Sequence, residues 1–578
     1  MLRQFFIALG LIATFCGRAN AQSVITAFEQ GSLVASETSL YNPRTFAVDK
    51  NNTKYILCYF LDTLRAGNIV LTAKQAWNPS VGNCMAVVCV DSVGNVLWAS
   101  KVVEGDSLIA GPNKIILLHN RLFLTCPNFY SKVYCGSDSF QSHGQTDGLI
   151  VCLSTEGTML NKIQFGGTSG ESIEDLEFDG STLVLAASYN VVVQGVGGNA
   201  NYIAKIGVDT LHSNNTATAL IGLDTNLMLQ FSIVYDDTVV PRIADVCITD
   251  DYYYCLVGTT SRTNQKIGGL IINFPLSAYS YFPSLLRLAK DGSTASNWYR
   301  KMYNTAGMNS LRTQCLVVQD NKVYLAGYSF CNTPNQFVFD GSNTTFTGLG
   351  DVDFFVTCYD TLGNFKWAKV SKSYGGEDIR SMAVDDSNNI VFAGVYSNAD
   401  LVINNDTLEP RGGYDGFAWC LDSNGNTVWN GACGGFNLDM ISQIANVNNN
   451  LYVLGATGSV GGCNMGIDSL FPPSIKGYSF VALIDTAIAP VVNTSIQNIQ
   501  EPALQIWPNP VQSVLHFAQA GQAKRYRFKI VNTLGAVAQQ GELCTNASID
   551  VSALHSGTYL LISEDANGMV GRKIFIKE

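Results

Sequence analysis

A pair of β-hairpins recurs at a nearly constant interval along most of this 578-residue chain. One hairpin is clearest at Tyr414–Trp429, where an apolar strand, a polar Asp-x-x-Gly turn and a second strand with Trp follow one another. Another hairpin precedes it, at Ile379–Ser397. The residues that end this preceding hairpin in successive repeats are Tyr59, Cys126, Ala187, Gly258, Gly327, Gly394 and Gly455. Such regular spacing predicts a repeat architecture of four short strands per unit.

A four-stranded unit of this kind cannot bury both of its faces alone, so the units have to pack on one another. Radial packing protects every edge, and the result is a β-propeller. The sequence therefore predicts an all-β fold with a seven-bladed propeller over residues 22–488. We expect the hairpin near Arg44 and the half-repeat near Tyr478 to complete one blade together, so that N- and C-terminal strands close the ring. Degenerate copies of the Asp-x-x-Gly hairpin are expected at Asn201–Thr210 and Tyr478–Thr486.

The polar segment Asp422–Asn426 allows two interpretations, a calcium loop or a tight turn. An EF-hand calcium loop places its glycine sixth, whereas this glycine is fourth. The corresponding segments that begin at Asp360 and Asp91 lack the intermediate oxygen ligands. An Asp that caps a turn and a Gly with positive φ are what a bulged hairpin needs, so the pattern predicts a turn and no metal site.

The repeat also resembles the bacterial β-propeller family called SBBP, whose blades read roughly G-x-D-x-F-V-x-K-x-D-x-x-G-x-x-x-W. The resemblance covers residues 44–486 and is best at 350–458. It departs from the family at Cys89, Cys152, Cys358 and Cys420, where the family often has Lys. Membership implies the propeller architecture and no catalytic residues.

The segment that ends at Ala21 has the pattern of a signal peptide. Arg3 gives a positive start, Phe5–Phe15 is an apolar core, and Ala19-Asn20-Ala21 is a small-x-small cleavage site. The mature chain is expected to begin at Gln22. No later segment has the roughly 18 uninterrupted apolar residues of a membrane-spanning helix, so no transmembrane anchor is predicted.

Fifteen of the 16 cysteines lie beyond the predicted signal peptide, which contains Cys16. An odd number leaves at least one thiol unpaired or paired between chains. The cysteines at matching strand positions of the repeat are expected to act as small hydrophobes. Cys126 with Cys135, or Cys247 with Cys255, are the nearer candidates for disulfides. No Cys/His set has zinc spacing.

The C-terminal part of the chain does not follow the hairpin repeat. A polar linker is predicted at 489–503, followed by a small Ig-like β-sandwich at 504–578. Its landmarks resemble the type A C-terminal sorting domain of the type IX (Por) secretion system. The residues that carry this resemblance are Trp507, Pro508, Asn509, Pro510, Gly535, Gly557, Tyr559, Lys573 and Lys577. The resemblance implies export across both membranes, recognition by the secretion machinery and its sortase-like protease, and either release or attachment at the outer-membrane surface.

The net charge of −11 argues against a nucleic acid or anionic membrane partner. No nucleophile elbow, metalloprotease helix or phosphate-binding loop occurs, so no cofactor is expected. The remaining candidates are four acidic residues near the starts of repeats, Glu171, Asp245, Asp378 and Asp439. They would hold a cation or act as an acid/base pair at the mouth of a central channel, or cap their own strands.

The hypothesis favoured by these features is a secreted or cell-surface recognition protein that binds a glycan or another protein through its loops. Tyr279 and Tyr281, in the long insert at 261–282, are candidate ligand contacts. Two alternatives stay open: an extracellular polysaccharide hydrolase or lyase, and a structural component of a surface adhesion or motility apparatus.

Overall fold

The structure is a computed structural model in which strands are the only regular elements of the described residues. It divides into two compact units, a larger one that ends at Ile488 and a smaller one that contains Ala489–Glu578. No segment of the described chain forms a helix that could cross a bilayer. The structure describes residues 22–30, 43–60, 63–73, 84–105, 108–109, 114–167, 170–190, 202–213, 217–235, 242–260, 265–267, 269–272, 281–305, 311–330, 336–350, 352–397, 399–459, 463–465, 468–470, 478–484, 504–519, 525–532, 537–544, 548–565 and 570–578.

Strands follow one another with short connections through the larger unit. Its first half contains β1 (Gln22–Gln30), β2 (Pro43–Val48), β3 (Lys54–Phe60), β4 (Thr63–Ala66), β5 (Ile69–Thr72), β6 (Cys84–Val90), β7 (Val96–Gly105), β8 (Leu108–Ile109), β9 (Ile115–Leu118), β10 (Arg121–Phe129), β11 (Lys132–Cys135), β12 (Asp138–Gln141), β13 (Asp147–Ser154), β14 (Met159–Gly167), β15 (Gly170–Phe178), β16 (Leu183–Asn190), β17 (Tyr202–Ile206), β18 (Asp209–Ser213), β19 (Ala217–Leu223) and β20 (Leu229–Tyr235). Its second half contains β21 (Arg242–Ile248), β22 (Tyr252–Thr260), β23 (Gln265–Ile267), β24 (Leu270–Ile272), β25 (Tyr281–Ala289), β26 (Trp298–Asn304), β27 (Leu311–Gln319), β28 (Lys322–Phe330), β29 (Gln336–Phe339), β30 (Phe346–Thr347), β31 (Val352–Asp360), β32 (Phe365–Val370), β33 (Gly376–Val384), β34 (Ile390–Ser397), β35 (Leu401–Ile403), β36 (Asp406–Leu408), β37 (Tyr414–Leu421), β38 (Thr427–Gly434), β39 (Asp439–Val447), β40 (Asn450–Thr457), β41 (Cys463–Met465), β42 (Asp468–Leu470) and β43 (Tyr478–Ile484).

The larger unit is built from antiparallel groups of four strands. In chain order the groups are β2-β3-β6-β7, β9-β10-β13-β14, β15-β16-β19-β20, β21-β22-β25-β26, β27-β28-β31-β32, β33-β34-β37-β38 and β39-β40-β43-β1. We call them groups 1 to 7, and the strands of each group its first to fourth strands. The second and third strands are buried along almost their whole length, because groups pack against both of their faces.

The Asp-x-x-Gly segments are turns between third and fourth strands, as the sequence predicts. In group 6, Asp422 Oδ1 accepts hydrogen bonds from the backbone N–H groups of Asn424 and Asn426, each at 2.8 Å. Gly425 has φ of 82°, which favours glycine. A Cβ there would also lie 2.9 Å from Cδ2 of Trp367 in group 5. The glycine is therefore required by the turn and by the neighbouring group together.

Three of the repeated Trp residues join their group to the next one. Trp367 Nε1 donates to the Ser423 carbonyl oxygen at 3.1 Å, and Trp98 Nε1 donates to the Thr155 carbonyl oxygen at 3.1 Å. Trp298 makes the same bond to Thr361 at 3.2 Å. Each acceptor follows the first residue of the next group's turn, so Trp and turn form one repeated joint between groups.

The first strands are joined to one another by side chains that bond the neighbouring backbone. Six first strands share a bulge with their second strands, for example between Ile243 and Asp245. Asp245 Oδ2, just after that bulge, accepts from Leu316 N in group 5 at 2.8 Å. Gln443 Oε1 in group 7 accepts from Phe46 N in group 1 at 2.8 Å. The last and first groups are therefore in contact, although 397 residues separate the two partners.

Group 7 contains strands from both ends of the larger unit, but the arrangement differs from the expected one. β1 pairs antiparallel with β43, with Glu29 opposite Tyr478. The hairpin near Arg44 was expected to complete this group, and that prediction is wrong: β2 and β3 pair with β6 in group 1. β1, a single strand without the hairpin pattern, occupies the place of the expected hairpin in group 7.

The degenerate copy predicted at Asn201–Thr210 is also wrong. β17 and β18 occupy this region, and they extend the fourth strand of group 2 through pairing with β14. The third and fourth strands of group 3 are β19 and β20, joined by a turn at Asp224. Small hairpins likewise extend other groups: β4-β5 pairs with β1, β11-β12 with β7, β29-β30 with β26 and β41-β42 with β38. The sequence repeat gives no sign of these hairpins because they are short and irregular.

The strand cysteines of the repeat are buried, as predicted for small hydrophobes: Cys89, Cys152, Cys358 and Cys420 are at most 1% exposed. The cysteines whose side chains are described are all free thiols. The suggested Cys247–Cys255 disulfide is wrong. Cys255 lies opposite Val246, so Cys247 points to the other face of the hairpin and the two sulfur atoms cannot meet. Cys126 and Cys135 share one hydrophobic core as thiols.

The smaller unit contains two antiparallel sheets. Its strands are β44 (Leu504–Trp507), β45 (Val514–Gln519), β46 (Arg525–Asn532), β47 (Val537–Cys544), β48 (Ser548–Asp550), β49 (Gly557–Asp565) and β50 (Val570–Lys577). One sheet has the order β44-β45-β48 and the other β47-β46-β49-β50. Leu515 and Ile549 of the first sheet share one core with Ile530, Leu561 and Phe575 of the second. This unit is therefore a small β-sandwich.

Candidate functional site

Four charged side chains from three neighbouring first strands meet in the larger unit. Lys114 precedes β9, Asp175 and Glu177 lie on β15, and Asp245 lies on β21. Lys114 Nζ is 2.9 Å from Asp175 Oδ1, 3.0 Å from Glu177 Oε1 and 4.0 Å from Asp245 Oδ1. We call these residues the Lys114 cluster. Its members come from groups 2, 3 and 4, so the packing of the groups creates it.

The backbone holds the two aspartates of the cluster in place. Asp175 Oδ2 accepts from Val246 N at 2.9 Å, and Asp245 Oδ2 accepts from Leu316 N at 2.8 Å. Asp175 and Asp245 are also hydrogen-bonded to each other. Each carboxylate therefore bonds the first strand of the next group and faces a charged neighbour, which fixes its orientation.

The cluster lines a space that water reaches. The side chains of Lys114 and Glu177 are 34% and 37% exposed, whereas those of Asp175 and Asp245 are 1% and 13% exposed. Burial alone would lower the pKa of the Lys114 ammonium, but the adjacent carboxylates raise it well above its ordinary value. Burial and the charge of Asp175 raise the pKa of Asp245 well above its ordinary range. The site therefore combines a fixed cation with a carboxyl that holds its proton.

Such an arrangement has two chemical uses. A protonated carboxyl, a carboxylate and an ammonium group together offer donors and acceptors to a polar ligand such as a polyol. A pair of carboxyl groups whose pKa values are driven apart is also the arrangement of a general acid and its partner: burial opposes ionisation of Asp175, yet Lys114 and the hydrogen bonds keep its pKa below the ordinary value.

Asp378, another of the predicted site residues, lies on the first strand of group 6. Its position along that strand differs from the position of Asp245 along the first strand of group 4. It precedes the bulge of β33, whereas Asp245 follows the bulge of β21. Asp378 Oδ2 accepts from Arg380 Nε at 3.2 Å. Burial raises the pKa of the Asp378 carboxyl, although Arg380 and Arg312 oppose the shift. Asp378 and Asp245 therefore belong to separate charge clusters.

Glu171 and Asp439, the other two predicted acids, lie between groups and are buried. Each follows a residue that pairs in parallel with the third strand of the preceding group: Gly170 with Thr146, and Leu438 with Tyr414. The same pairing joins Gly376 to Val352. One residue further along both strands, two buried acidic residues lie side by side in each case: Asp147 with Glu171, Asp353 with Glu377, and Asp415 with Asp439. These three carboxyl pairs are repeated features of the junctions between groups.

The carboxyl pairs are held mainly by structural hydrogen bonds. Asp439 Oδ2 accepts from Gly435 N at 2.8 Å and from Ser459 Oγ at 2.7 Å. Burial, with the neighbouring Asp439 charge, raises the pKa of Asp415 to about 6. Burial, with the charge of Asp353, raises the pKa of Glu377 to about 8. Two adjacent buried carboxyl groups resist double ionisation, so Glu377 retains its proton at neutral pH.

Tyr279 lies outside the described residues, and for Tyr281 the described part is the backbone of β25. Ala21, the predicted cleavage residue, also lies outside them, whereas Gln22 begins β1. Throughout the part of the chain that the structure describes, no three His, Cys, Asp or Glu side chains are grouped as a metal ion would require.

Three members of the Lys114 cluster escaped the sequence analysis, namely Lys114, Asp175 and Glu177. A signal for Asp175 was present, because Ile173-Glu174-Asp175-Leu176 and Ile243-Ala244-Asp245-Val246 share the pattern Ile-x-Asp-aliphatic. Alignment of the repeats on the bulge would have matched the two aspartates. No other repeat has a lysine at this place, so only the packing of group 2 on group 3 reveals the role of Lys114.

The sorting landmarks meet at one edge of the smaller unit. Asn509 Oδ1 accepts from Ile576 N at 2.8 Å, so the Trp-Pro-Asn-Pro segment and the terminal strand hold each other. Cis peptide bonds precede Pro508 and Pro510. Trp507 stacks on His516 with ring centroids 5.6 Å apart and stays 48% exposed.

Other landmarks of the smaller unit are fixed separately. The Tyr559 hydroxyl donates to the His555 carbonyl oxygen at 2.9 Å, which ties the start of β49 to the preceding turn. Lys573 is exposed and Lys577 is largely buried. Gly557 begins β49, and Gly535 lies outside the described residues.

Known structures resemble the chain weakly. The plexin A4 extracellular region is 8% identical, with 96% of this chain and 62% of that one covered and a TM-score of 0.35. The phage phi92 endosialidase is 10% identical, with 96% and 87% covered and a TM-score of 0.29. The Trypanosoma rangeli sialidase is 8% identical, with 96% and 88% covered and a TM-score of 0.25. Scores this low carry no argument about fold or activity. Among proteins of curated function, none matches this sequence.

A family match was found for the smaller unit. Residues 505–577 match the secretion system C-terminal sorting domain. This is the domain that the landmarks predict, and the match confirms the resemblance for this part of the chain. The protein is accordingly exported through type IX secretion to the cell surface or the extracellular space.

Proposed function

We propose that this protein is a secreted or cell-surface seven-bladed β-propeller of the SBBP type, and that it binds an extracellular ligand through its first strands. Seven four-stranded groups, the hydrogen bond between Gln443 and Phe46 and the pairing of β1 with β43 support the closed ring. The propeller would span residues 22–488, after a signal peptide that ends at Ala21 and before a linker at 489–503.

The observation that carries the binding role is the Lys114 cluster. Segments that lie far apart in the sequence bring one ammonium group and three carboxyl groups to a space open to water. Burying charged groups is costly, and a fold keeps them there when they serve a purpose such as ligand recognition. Export makes the ligand an extracellular molecule. The type IX machinery and its sortase-like protease are the partners proposed for the C-terminal domain.

The binding role is tested with mature protein recovered from the cell surface or medium. Binding is measured against a panel of extracellular polysaccharides and proteins, for the wild type and for Lys114→Met and Asp245→Asn. Both variants should lose affinity while keeping their secondary structure. Lys372→Met, which removes an exposed cation outside the cluster, should bind like the wild type. Ligand binding that survives both cluster substitutions would refute the assignment.

A polysaccharide hydrolase or lyase is the second candidate, and the opposed pKa shifts of Asp175 and Asp245 favour it. The same panel is then assayed for turnover. An enzyme would lose turnover in Asp245→Asn and still bind the polysaccharide. Binding without turnover in the wild type would exclude this candidate for the polysaccharides assayed.

A further inference from the structure

Three arginines lie on successive first strands of the larger unit. Arg242 is on β21, Arg312 on β27 and Arg380 on β33. Arg242 and Arg312 occupy the same place, two residues before the bulged residue, and Arg380 is the bulged residue of its own strand. We call these residues the arginine set. They belong to groups 4, 5 and 6, whose first strands are neighbours.

Two members of the arginine set have exposed side chains. The side chain of Arg242 is 51% exposed, and Arg312 is exposed as well. Arg380 is partly buried, with Nη1 3.3 Å from Met440 Sδ. The three arginines recur at or next to the bulges of three adjacent first strands.

Two carboxyl groups accompany the three arginines. Glu174 is buried, pairs with Arg242 and accepts a hydrogen bond from Ser188 Oγ at 2.8 Å. Asp378 pairs with Arg380 and also interacts with Arg312, and burial raises the pKa of its carboxyl. Among the described residues, the three permanent cations outnumber the two carboxyl groups that pair with them, and one of these carboxyl groups resists ionisation.

Polar groups lie beside Arg312 and on other first strands. Tyr328 lies opposite Arg312 in the hairpin, and its phenol interacts with Arg312 and Gln314. Gln314 is exposed, and Ser172 and Ser442 are partly exposed on β15 and β39. Amide and hydroxyl groups of this kind match the hydroxyl groups of a saccharide, whereas a peptide ligand would call for apolar contacts.

We propose that the arginine set binds the carboxylate groups of an acidic polysaccharide. The guanidinium group presents paired N–H donors that match a carboxylate, and arginines on adjacent strands would contact successive acidic sugars. This inference deepens the proposed function, on which it rests, by naming the ligand class. It places ligand contact at or before the bulges of the first strands, whereas Asp175 and Asp245 of the Lys114 cluster follow the bulges of theirs.

The test uses full-length exported protein and polygalacturonate as the probe, with its neutral methyl ester as the ligand control. Binding is measured by calorimetry for the wild type, Arg312→Gln, Arg380→Gln and Lys372→Gln. We expect about a tenfold or greater loss of affinity for each arginine variant, since a charge-assisted hydrogen bond is removed. Lys372→Gln, an exposed cation outside the set, should stay within about twofold of the wild type.

Circular dichroism and thermal unfolding establish that each variant is folded. Arg312→Gln is the decisive variant, because that side chain is exposed and its loss should leave the fold intact. Equal binding of polygalacturonate and its ester, unchanged affinity in Arg312→Gln, or no binding of polygalacturonate would each overturn the proposal. Binding of polyglutamate in preference to polygalacturonate would overturn the saccharide assignment.

The two proposals fail in different ways. Polygalacturonate binding that is lost in Lys114→Met and retained in Arg312→Gln would leave the proposed function standing and refute the role of the arginine set. Binding that is lost in Arg312→Gln and retained in Lys114→Met would support the arginine set and refute the Lys114 cluster as the binding site.

Discussion

The two units of this chain differ in how their sequences encode a role. In the smaller unit, the residues that mark export are short local motifs such as Trp507–Pro510, and a hydrogen bond from Ile576 to Asn509 holds two of them together. In the larger unit, the charged residues that meet at Lys114 are separated by long stretches of repeat. A motif of neighbouring residues can be recognised in a single sequence. A site assembled from distant segments can be recognised only in the structure.

The largest expected effect is the loss of export when the smaller unit is removed. A chain that ends at Ile488 lacks the unit that matches the sorting domain. We expect its extracellular amount to fall to background while folded protein accumulates inside the cell envelope. Fractionation and immunoblotting measure this, with the full chain as the control. Secretion of the truncated chain at the normal level would contradict the role of the smaller unit.

The next effect concerns the junctions of the larger unit. Asp439→Ala removes a carboxylate that accepts hydrogen bonds from Gly435 N and Ser459 Oγ. Two buried donors then lack their acceptor, and the free energy of unfolding should fall by about 3 kcal/mol. Urea denaturation measures the change. Asp406→Ala, in a small hairpin, is the matched control and should cost less than about 1 kcal/mol. Equal losses would mean that the carboxyl pairs have no special structural role.

A pH effect of the same junctions should be somewhat smaller. The folded-state pKa of Glu377 is raised to about 8 and that of Asp415 to about 6. Groups with raised pKa values stabilise the fold fully below their unfolded pKa, and the stabilisation is lost as pH rises through the folded pKa. The free energy of unfolding should therefore fall by about 2 kcal/mol between about pH 5 and about pH 8.

Glu377→Gln should flatten this pH dependence, because the amide stays neutral at every pH. Denaturation series at several pH values, on wild type and variant in parallel, measure the difference. The smaller unit supplies none of these pairs among its described residues, so a pH profile identical in Glu377→Gln and wild type would remove this distinction between the units.

The smallest effect concerns the Trp joints. Trp367→Phe removes the hydrogen bond to the Ser423 carbonyl and leaves most of the ring packing over Gly425. We expect a loss of about 1 kcal/mol in the free energy of unfolding. Trp507→Phe is the control in the smaller unit, where the ring is half exposed. A larger loss for Trp507→Phe would show that stability is distributed differently between the units.

Much of the fold could be predicted from the sequence because the repeat is periodic. The Asp-x-x-Gly turns, the buried strand cysteines and the Trp-bearing fourth strands follow from short local patterns. The Asn201–Thr210 assignment failed because a short edge hairpin imitated a repeat, while the true copy, Ala217–Tyr235, has Thr-Asn-Leu in place of the usual turn. β1 was missed because a single strand carries no hairpin signal.

The candidate site was less predictable than the fold. Asp245 was chosen for its place near a repeat start, and the structure shows that the bulge separates it from Asp378. A bulge shifts the register by one residue without a fixed sequence signature, so sequence alignment alone cannot tell which acids share a level. Lys114 and the arginine set depend on contacts between different repeats, which no single repeat encodes.

The proposed propeller depends most on the meeting of the two ends of the larger unit, which would close the first strands into one ring. The most direct test is a cysteine pair, Glu29→Cys with Tyr478→Cys, at positions opposite each other in the β1–β43 pairing. Glu29→Cys with Ser479→Cys is the control, because Ser479 points to the other face of its strand. Mild oxidation should give an intramolecular disulfide, and faster migration on a non-reducing gel, in the first pair alone. No disulfide in the first pair, or equal cross-linking in both pairs, would contradict the closed ring.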